Sequence, residues 1–428
     1  MNSNINMQCP VLHQCKTDCC GCTACYAICP KNAISMVIDE EGFDLSLIHI
    51  SKYLKISISK MLLWLTVFLC CSFDQITTFP VNYIRLVVSI IIIFYCLLID
   101  RKYIINSNVD ILVYLLWIIF STSISNKIKL LAAGEYCITL MAICFGVTLC
   151  SKIHGWKTAT QCLYKAILFC LLISIIVLLI TDGKGIKVED VLMHYGIGNK
   201  FVVSYFIMFA LALFLQNSKL KRQTCVRFLQ PIAIFIIAVS FCKIIDCSTG
   251  ILGCIVVFTL YYVWEKCGSI LKRRSIVLTV VIVGGMFPFF ASWLVSIPVI
   301  QSFIINVLHG DVSLTGRIDI YAVLIGIMKE RLFLGYGYGT DIVQRILTVG
   351  NPQNGLLQII TVSGLIGCGL FLFIMSDTFK KKQDMTVRLD SIVMFIYAMI
   401  VCSFGEINYD LFFILCLTLL KNSRVEEK

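Results

Sequence analysis

The residues best suited to chemistry in this 428-residue chain lie in one polar segment between long apolar runs. Arg317 follows a glycine there, and Lys329 and Arg331 follow it at the far end of a short helical pattern. Arginine binds phosphate oxygens through two parallel N–H groups and stays charged at low dielectric, so it can bind an anionic ligand and stabilise negative charge that develops on it. We predict Arg317 as a catalytic residue and the other two as substrate-binding candidates. The alternatives are a snorkelling arginine or an ion pair with Asp319 or Asp341, and plain solvated charges.

Three glycines follow at alternate positions, Gly335, Gly337 and Gly339, with a tyrosine between each pair. Glycine adopts positive φ without strain and lets the backbone approach a ligand closely. Asn354 heads the next apolar run, where its amide could bond a ligand hydroxyl or cap a helix. We predict all four as substrate-binding residues, and both roles of the asparagine stay open.

The composition is that of a membrane protein. Hydrophobic residues make up 59% of the chain and charged residues 14%, and the mean hydropathy is +0.90, whereas a soluble domain carries about 25% charged residues. The net charge of +11 comes from basic residues spread over short connections. That distribution is typical of membrane-orientation signals, so we predict no nucleic-acid partner.

Roughly twelve apolar runs are long enough to cross a bilayer. Their centres lie near Leu65, Ile91, Leu116, Ala142, Leu172, Phe209, Phe235, Val257, Ile282, Leu365, Tyr397 and Ile414. Within lipid every backbone polar group must be bonded internally, which favours helices. The predicted fold is therefore all-α, a polytopic bundle of about twelve transmembrane helices over residues 59–428.

The charges predict how these helices are oriented. Basic residues cluster in alternate connections, namely Arg101, Lys102, Lys152, Lys157, Lys219, Lys221, Arg222, Arg227, Lys266, Lys272, Arg273, Arg274 and Lys380 to Lys382. By the positive-inside rule these connections and both termini are cytoplasmic. Residues 298–353 then form one large external loop, too long for a simple connector.

Within that loop, residues 317–330 show helical spacing. Ile318, Ala322, Ile325 and Lys329 form one stripe, and Tyr321, Leu324 and Met328 form another. The pattern predicts a helix lying against the membrane surface, bracketed by positive charge.

The order of these parts resembles the O-antigen polymerase and O-antigen ligase superfamily of bacterial membrane glycosyltransferases. Members carry a small-Gly-Arg motif, a helix, a Gly-x-Gly turn and an asparagine before the next span. The topology is similar over residues 52–428 and the motifs over residues 313–371. The resemblance implies that the chain polymerises undecaprenyl-pyrophosphate-linked repeat units of a surface polysaccharide (O-antigen, capsule or exopolysaccharide) in the bacterial inner membrane. It implies no cofactor for the membrane domain, and a flippase and a chain-length regulator as partners.

Two departures from the family pattern bear on mechanism. Gln353 stands where many ligase-like members have a histidine before the asparagine, and glutamine cannot take a proton. Residues 248–250 stand where many relatives carry a Ser-Arg pair, and Lys243 is the candidate replacement for that charge. A ligase that relies on the histidine is thus disfavoured, and a polymerase with another base is not.

Ionisable residues near the outer ends of spans are further candidates. Arg85 is a candidate for substrate binding, and Glu406 and Asp410 are candidate catalytic carboxylates, since a carboxylate can act as general base in a displacement at an anomeric carbon. His194 and Asp311 compete with them for that role.

The N-terminal 44 residues carry a different motif. Cys19, Cys22, Cys25 and Cys29 precede a proline with the spacing of a bacterial iron-sulfur run, and they predict a 4Fe-4S cluster. The fragment resembles part of the ferredoxin module of coenzyme F420 hydrogenase beta-subunit proteins. A lone run has an incomplete ligand set unless another cysteine substitutes, so a zinc site or unligated thiols remain alternatives. The other sixteen of the 23 cysteines are predicted to be small buried hydrophobes.

The junction between these two parts, residues 45–58, has an unusual sequence. Residues 45–50 read LSLIHI, which is what the transposon end used to prepare sequencing libraries encodes in one frame. We hypothesise that residues 1–44 and 52–428 come from two unrelated genes joined through adapter DNA. Amplifying the locus from source DNA and reading across the junction tests this, and uninterrupted natural sequence there would refute it.

Three other functions compete with a polymerase. A ligase or protein O-glycosyltransferase would share most of the motifs. A lipid-linked oligosaccharide flippase would have a similar number of spans but no single large external loop. A redox membrane protein would use the N-terminal cluster, but only five histidines occur and none is paired on a span.

Overall fold

A computed structural model describes residues 35–39, 42–46, 49–73, 81–188, 192–220, 226–306, 317–347, 352, 354–379, 390–402 and 411–422. The chain divides into two compact units, Met1–Ser59 and Lys60–Lys428. In the first unit, strands β1 (Ser35–Asp39) and β2 (Gly42–Ser46) form an antiparallel hairpin that pairs Ser35 with Ser46. The helix α1 (His49–Leu69) begins in this unit, inside the predicted junction.

The second unit is helical apart from one short hairpin, so the predicted all-α class is confirmed for the part of the chain that the structure describes. Its helices are α2 (Val81–Ser107), α3 (Val109–Ser125), α4 (Leu130–Ile180), α5 (Lys200–Leu220), α6 (Val226–Ile244), α7 (Ser248–Leu271), α8 (Arg274–Ser296), α9 (Pro298–Asn306), α10 (Arg317–Met328), α11 (Ile342–Leu347), α12 (Gly355–Thr378), α13 (Asp390–Cys402) and α14 (Leu411–Asn422). Strands β3 (Ile186–Val188) and β4 (Leu192–His194) form the hairpin.

Five stretches among the described residues are helical, long and apolar enough to cross a membrane, which identifies a membrane protein. They are α2, α7, α8, α12 and residues Lys127–Ile180, which include α4. Six further apolar helices have 10–17 residues. The centres of all twelve predicted spans lie in these helices and α1. Five of these helices are long enough to span a membrane, and the total of twelve spans stays a prediction.

The 51-residue helix α4 contains a sharp break at Gly155. Its φ of 73° and ψ of 152° belong to a backbone region that is essentially restricted to glycine. Two of the predicted span centres, Ala142 and Leu172, lie on either side of this break, so one long helix holds both.

The two ends of the bundle differ in their connections. The end that holds the α2–α3 and α7–α8 connections and the Gly155 break is called here the basic end. The opposite end, where α3 joins α4 and where the described residues between 298 and 354 lie, is called the loop end. Of the fifteen described cysteines, thirteen are buried inside the bundle between these ends, as their apolar surroundings predict.

The helix predicted at residues 317–330 forms and packs against the bundle. Helix α10 continues into a 3-10 turn, Lys329–Arg331. Tyr321, Leu324 and Met328 are buried against Ala291 of α8 and Leu357 of α12. The second of the two stripes therefore packs on the bundle, because its larger side chains fill the groove between two helices. The position of α10 relative to the membrane surface stays a prediction.

Candidate functional site

The three glycines of the external segment form a tight loop, residues 332–339, which is called here the glycine loop. Gly335, Gly337 and Gly339 have φ values of 74°, 85° and 66°. These positive angles suit glycine and strain other residues. The sequence predicted the turn correctly. The glycines, however, let the backbone of the loop approach another part of the same chain and not a ligand.

The glycine loop packs against a break in helix α12 at Gly364. Its φ is 68° and its ψ is −173°, ten residues into the helix. A Cβ at Gly335 would lie 2.5 Å from the carbonyl oxygen of Val362, and a Cβ at Gly364 would collide with the carbonyl group of Phe333. Neither position has space for a side chain.

Backbone hydrogen bonds join the glycine loop to this break. Tyr336 N–H donates to Thr361 O at 2.7 Å, and Gly337 N–H donates to Val362 O at 2.9 Å. In the other direction Leu365 N–H donates to Leu332 O at 2.8 Å. The loop thus supplies the partners that the interrupted helix loses, which is how irregular backbone is tolerated at membrane depth.

Polar side chains of α3 complete the junction. Trp117 Nε1–H donates to Ser363 O at 2.8 Å, and Ser125 Oγ donates to Gly335 O at 2.9 Å. The Ser121 hydroxyl lies within hydrogen-bond distance of both Leu334 O and Val362 O. Helices α3 and α12, which lie far apart in sequence, therefore hold the loop in one conformation.

The loop presents Tyr338 to a group of residues that we call the Tyr338 cluster, consisting of Arg85, Glu135, Tyr136 and Tyr338. The Tyr338 ring stacks on Tyr136 with centroids 4.7 Å apart, and its N–H donates to Thr122 Oγ1 at 2.9 Å. The pKa of Tyr338 is raised to about 12, chiefly by burial and to a smaller extent by Cys137 and by the negative charge of Glu135, while the positive charge of Arg85 lowers it. The phenol therefore stays protonated between two opposite charges.

Of the predicted substrate-binding residues, Arg85 is the charged one that lies in this cluster. It is partly buried in the first turns of α2, and its Nη2 donates to Cys71 O at 2.7 Å. That bond holds the guanidinium close to the end of α1.

The other predicted cations are exposed. Lys329 and Arg331 lie in the 3-10 turn after α10, where Arg331 stands 5.6 Å from the centre of the Tyr336 ring. Lys243 ends α6 at the loop end and is also exposed. The described contacts do not bring these three into the Tyr338 cluster.

Asn354 caps α12. Its Oδ1 accepts from the N–H groups of Leu356 and Leu357, each at 3.1 Å, and its Nδ2 donates to Gly284 O at 3.2 Å. The side chain is fully buried. Of the two roles left open for this residue, the structure shows the capping one, and the predicted contact with substrate has no open face to use.

Several predicted residues lie where the structure gives no side-chain description. Arg317 is the first residue of α10, and nothing further is described for it. Glu406, Asp410, Asp311 and Gln353 lie outside the described residues, as do the predicted cluster ligands Cys19, Cys22, Cys25 and Cys29. Among the residues that are described, no group of three or more His, Cys, Asp or Glu could hold a metal ion.

His194, the competing base, is 1% exposed at the end of β4. Its Nε2 lies 2.8 Å from Ser72 O, so the ring ties the hairpin to the chain after α1. Since almost none of its surface is accessible, we assign it a structural role.

The sequence reasoning missed Glu135. It is the only acidic residue between Lys127 and Asp182 and lies near one end of an apolar run. The rule that selected Arg85, an ionisable residue within a span, would have found it too.

No protein-family model, no curated protein and no solved structure matches the chain.

Proposed function

We propose that this protein is a membrane glycosyltransferase that polymerises undecaprenyl-pyrophosphate-linked repeat units of a bacterial surface polysaccharide. It crosses the inner membrane about twelve times with both termini in the cytoplasm, and the loop end faces outward. A flippase supplies its substrate and a chain-length regulator acts with it. The resemblance over residues 313–371 motivates this reading.

One observation carries the proposal. The glycine loop of the external segment is seated in the break of α12, and this places Tyr338 beside Arg85 and Glu135. A cation, a carboxylate and a protonated phenol are the groups that a transfer from a pyrophosphate to a hydroxyl needs. Arg317 begins the helix that leads to this loop and is the second phosphate-binding candidate.

A transporter is the second candidate, because discontinuous helices such as α12 often form ion and substrate sites in transporters. In those sites the freed carbonyl oxygens face the ligand. Here the carbonyl oxygens of Thr361, Val362 and Ser363 accept hydrogen bonds from the glycine loop and α3. The described break is filled by the chain, which favours the enzyme over the flippase.

A ligase or O-glycosyltransferase differs from a polymerase in its acceptor. Gln353 replaces the histidine of many ligase-like members, and His194 is buried, so neither supplies the base of that mechanism. The polymerase is therefore preferred.

The test uses purified full-length protein in liposomes, supplied with lipid-linked repeat units made by the source gene cluster. We expect a ladder of longer glycans from the wild type and none from Arg317→Ala or Arg85→Ala. Arg345→Ala is the matched control, since Arg345 is an exposed arginine of the same segment paired with Asp341. Transfer to core oligosaccharide or protein would show a ligase, and passage of intact units across the bilayer without chain growth would show a flippase.

The N-terminal unit is assigned separately. We propose that Cys19, Cys22, Cys25 and Cys29 hold a 4Fe-4S cluster only if residues 1–44 belong to the natural gene. Sequencing the locus decides that first. If the sequence is continuous, an iron and acid-labile sulfide assay of the full chain against Cys22→Ala decides whether a cluster is bound.

A further inference from the structure

The carboxylate of Glu135 is placed to act in the Tyr338 cluster. We propose that Glu135 is the general base that takes the proton from the acceptor hydroxyl during glycosyl transfer. This inference rests on the proposed function, and it assigns a role that neither the motifs nor the resemblance gave.

The geometry around Glu135 supports this role. The next residue, Tyr136, stacks on Tyr338, and a Cβ at Gly339 would stand 3.6 Å from side-chain atoms of Lys129. The start of α4 and the turn before it therefore border the glycine loop along residues 337–339. Glu135 lies on this border, partly buried and partly accessible.

The Glu135 carboxylate is not used by the fold. Within the described part of the chain, neither a hydrogen bond nor an ion pair is recorded for it, although Thr139 Oγ1 donates to its backbone carbonyl. Charged side chains held for structural reasons at membrane depth are normally paired. A carboxylate with no recorded structural partner is suited to bind a substrate hydroxyl.

The charges around the cluster complete the argument. Arg85 from α2 and Glu135 from α4 act on the same Tyr338 hydroxyl with opposite sign. A substrate whose pyrophosphate binds Arg85 would bring its reacting carbon toward Glu135. Lys129, exposed in the turn before α4, is a further cation that borders the glycine loop at Gly339.

The step balances without a metal or a redox partner. The acceptor hydroxyl oxygen forms a bond to the anomeric carbon of the donor, and the bond from that carbon to the pyrophosphate oxygen breaks. The hydroxyl proton moves to a Glu135 oxygen, and the polyprenyl pyrophosphate leaves with the bonding electron pair. Arg85 stabilises the charge that grows on the leaving group.

The experiment compares Glu135→Gln, Glu135→Asp and the control Glu330→Gln in the liposome assay. Glu330 is an exposed glutamate whose Oε2 lies 3.3 Å from Tyr336 Oη, so its replacement makes the same chemical change outside the cluster. We expect Glu135→Gln to lower the turnover rate by roughly 10²- to 10⁴-fold with donor affinity unchanged within about threefold. Glu135→Asp should retain part of the rate, and Glu330→Gln all of it.

A pH profile separates a base from a structural residue. The wild-type rate should fall on the acid side as a carboxylate is protonated, and this limb should be absent from the residual rate of Glu135→Gln. Two results with an active wild type would overturn the assignment of Glu135 as base and leave the proposed function standing. One is a Glu135→Gln variant that keeps more than roughly a tenth of the wild-type rate, and the other is a loss of thermal stability that accounts for the whole loss of rate. A wild type that makes no polymer from its own repeat units would overturn the proposed function and the base together.

Discussion

The two ends of the bundle use charge in different ways. At the basic end, cations pair with carboxylates from other helices: Lys421 of α14 with Asp110 of α3, and Lys272, after α7, with Asp390 of α13 at 2.6 Å. Lys152 of α4 pairs with Asp100 of α2 in the same way. These pairs tie helices together, and the first two leave little of either partner for a ligand, whereas Lys152 and Asp100 are each about one third exposed.

At the loop end, Lys200 of α5 pairs with the exposed Asp246 at 3.8 Å, and two further charges are arranged around a tyrosine. Arg85 and Glu135 act on Tyr338 from two helices, while the ion pair recorded in the external segment, Arg345 with Asp341, is exposed. A charge paired with its neighbour stabilises the fold, whereas a charge held near a protonated phenol can act on a substrate. Under the proposed function, we expect the basic end to contribute mainly to stability and the loop end to hold the chemistry.

The largest expected effect comes from filling the break that positions the loop. Gly364→Ala places a methyl group against the Phe333 carbonyl at a φ of 68°. We expect a loss of about 3 kcal/mol or more in unfolding free energy, with loss of polymer, since strain and overpacking add. Thermal unfolding in detergent and the liposome assay measure both.

Gly369→Ala is the control for this prediction. It lies on the same helix, and a Cβ there meets nothing within 4 Å. Equal losses from the two variants would mean that α12 tolerates no alanine at all and that the seat of the glycine loop is not special.

The second effect tests the basic end. Asp110→Asn leaves Lys421 charged and mostly buried, where the two side chains are only 10% and 14% exposed. We expect a loss of about 3 kcal/mol in stability, as for other broken buried pairs, with the rate per folded molecule unchanged. The double variant Asp110→Leu, Lys421→Met should recover most of the stability. A specific loss of rate in folded Asp110→Asn would contradict the division between the ends.

The sequence predicts the helical class and the glycine turn, because apolar runs and Gly-x-Gly spacing are local signals. It could not decide which stripe of α10 is buried, since lipid and protein core are equally apolar and both stripes fit a helix. The sequence also could not predict where the glycine loop packs. Gly335 and Gly364 are 29 positions apart, and their contact depends on side chains of α3. The role of Asn354 was open for a similar reason, because a cap and a ligand contact need the same amide.

A smaller effect concerns alkaline pH. Tyr338 has its pKa raised to about 12 by burial, whereas an unfolded tyrosine titrates near ~10. The stability that this shift gives is complete below pH ~10 and is lost as the pH rises toward the folded value. We expect the thermal midpoint of the wild type to fall relative to Tyr338→Phe as the pH is raised through that range, while Tyr83→Phe, at an exposed tyrosine, follows the wild type. Parallel curves for wild type and Tyr338→Phe would show that the hydroxyl is not buried in the cluster.

The smallest expected effect comes from breaking an exposed ion pair at the loop end. Arg345 and Asp341 form an ion pair at 2.6 Å in α11, yet their side chains are 65% and 55% exposed. Water screens such a pair, so Arg345→Ala should change the stability by no more than about 0.5 kcal/mol and leave the polymer ladder intact. If this one variant abolished chain growth while Arg85→Ala did not, the phosphate site would lie on the external segment, and the loop end would have to be divided between a structural Tyr338 cluster and a catalytic α11.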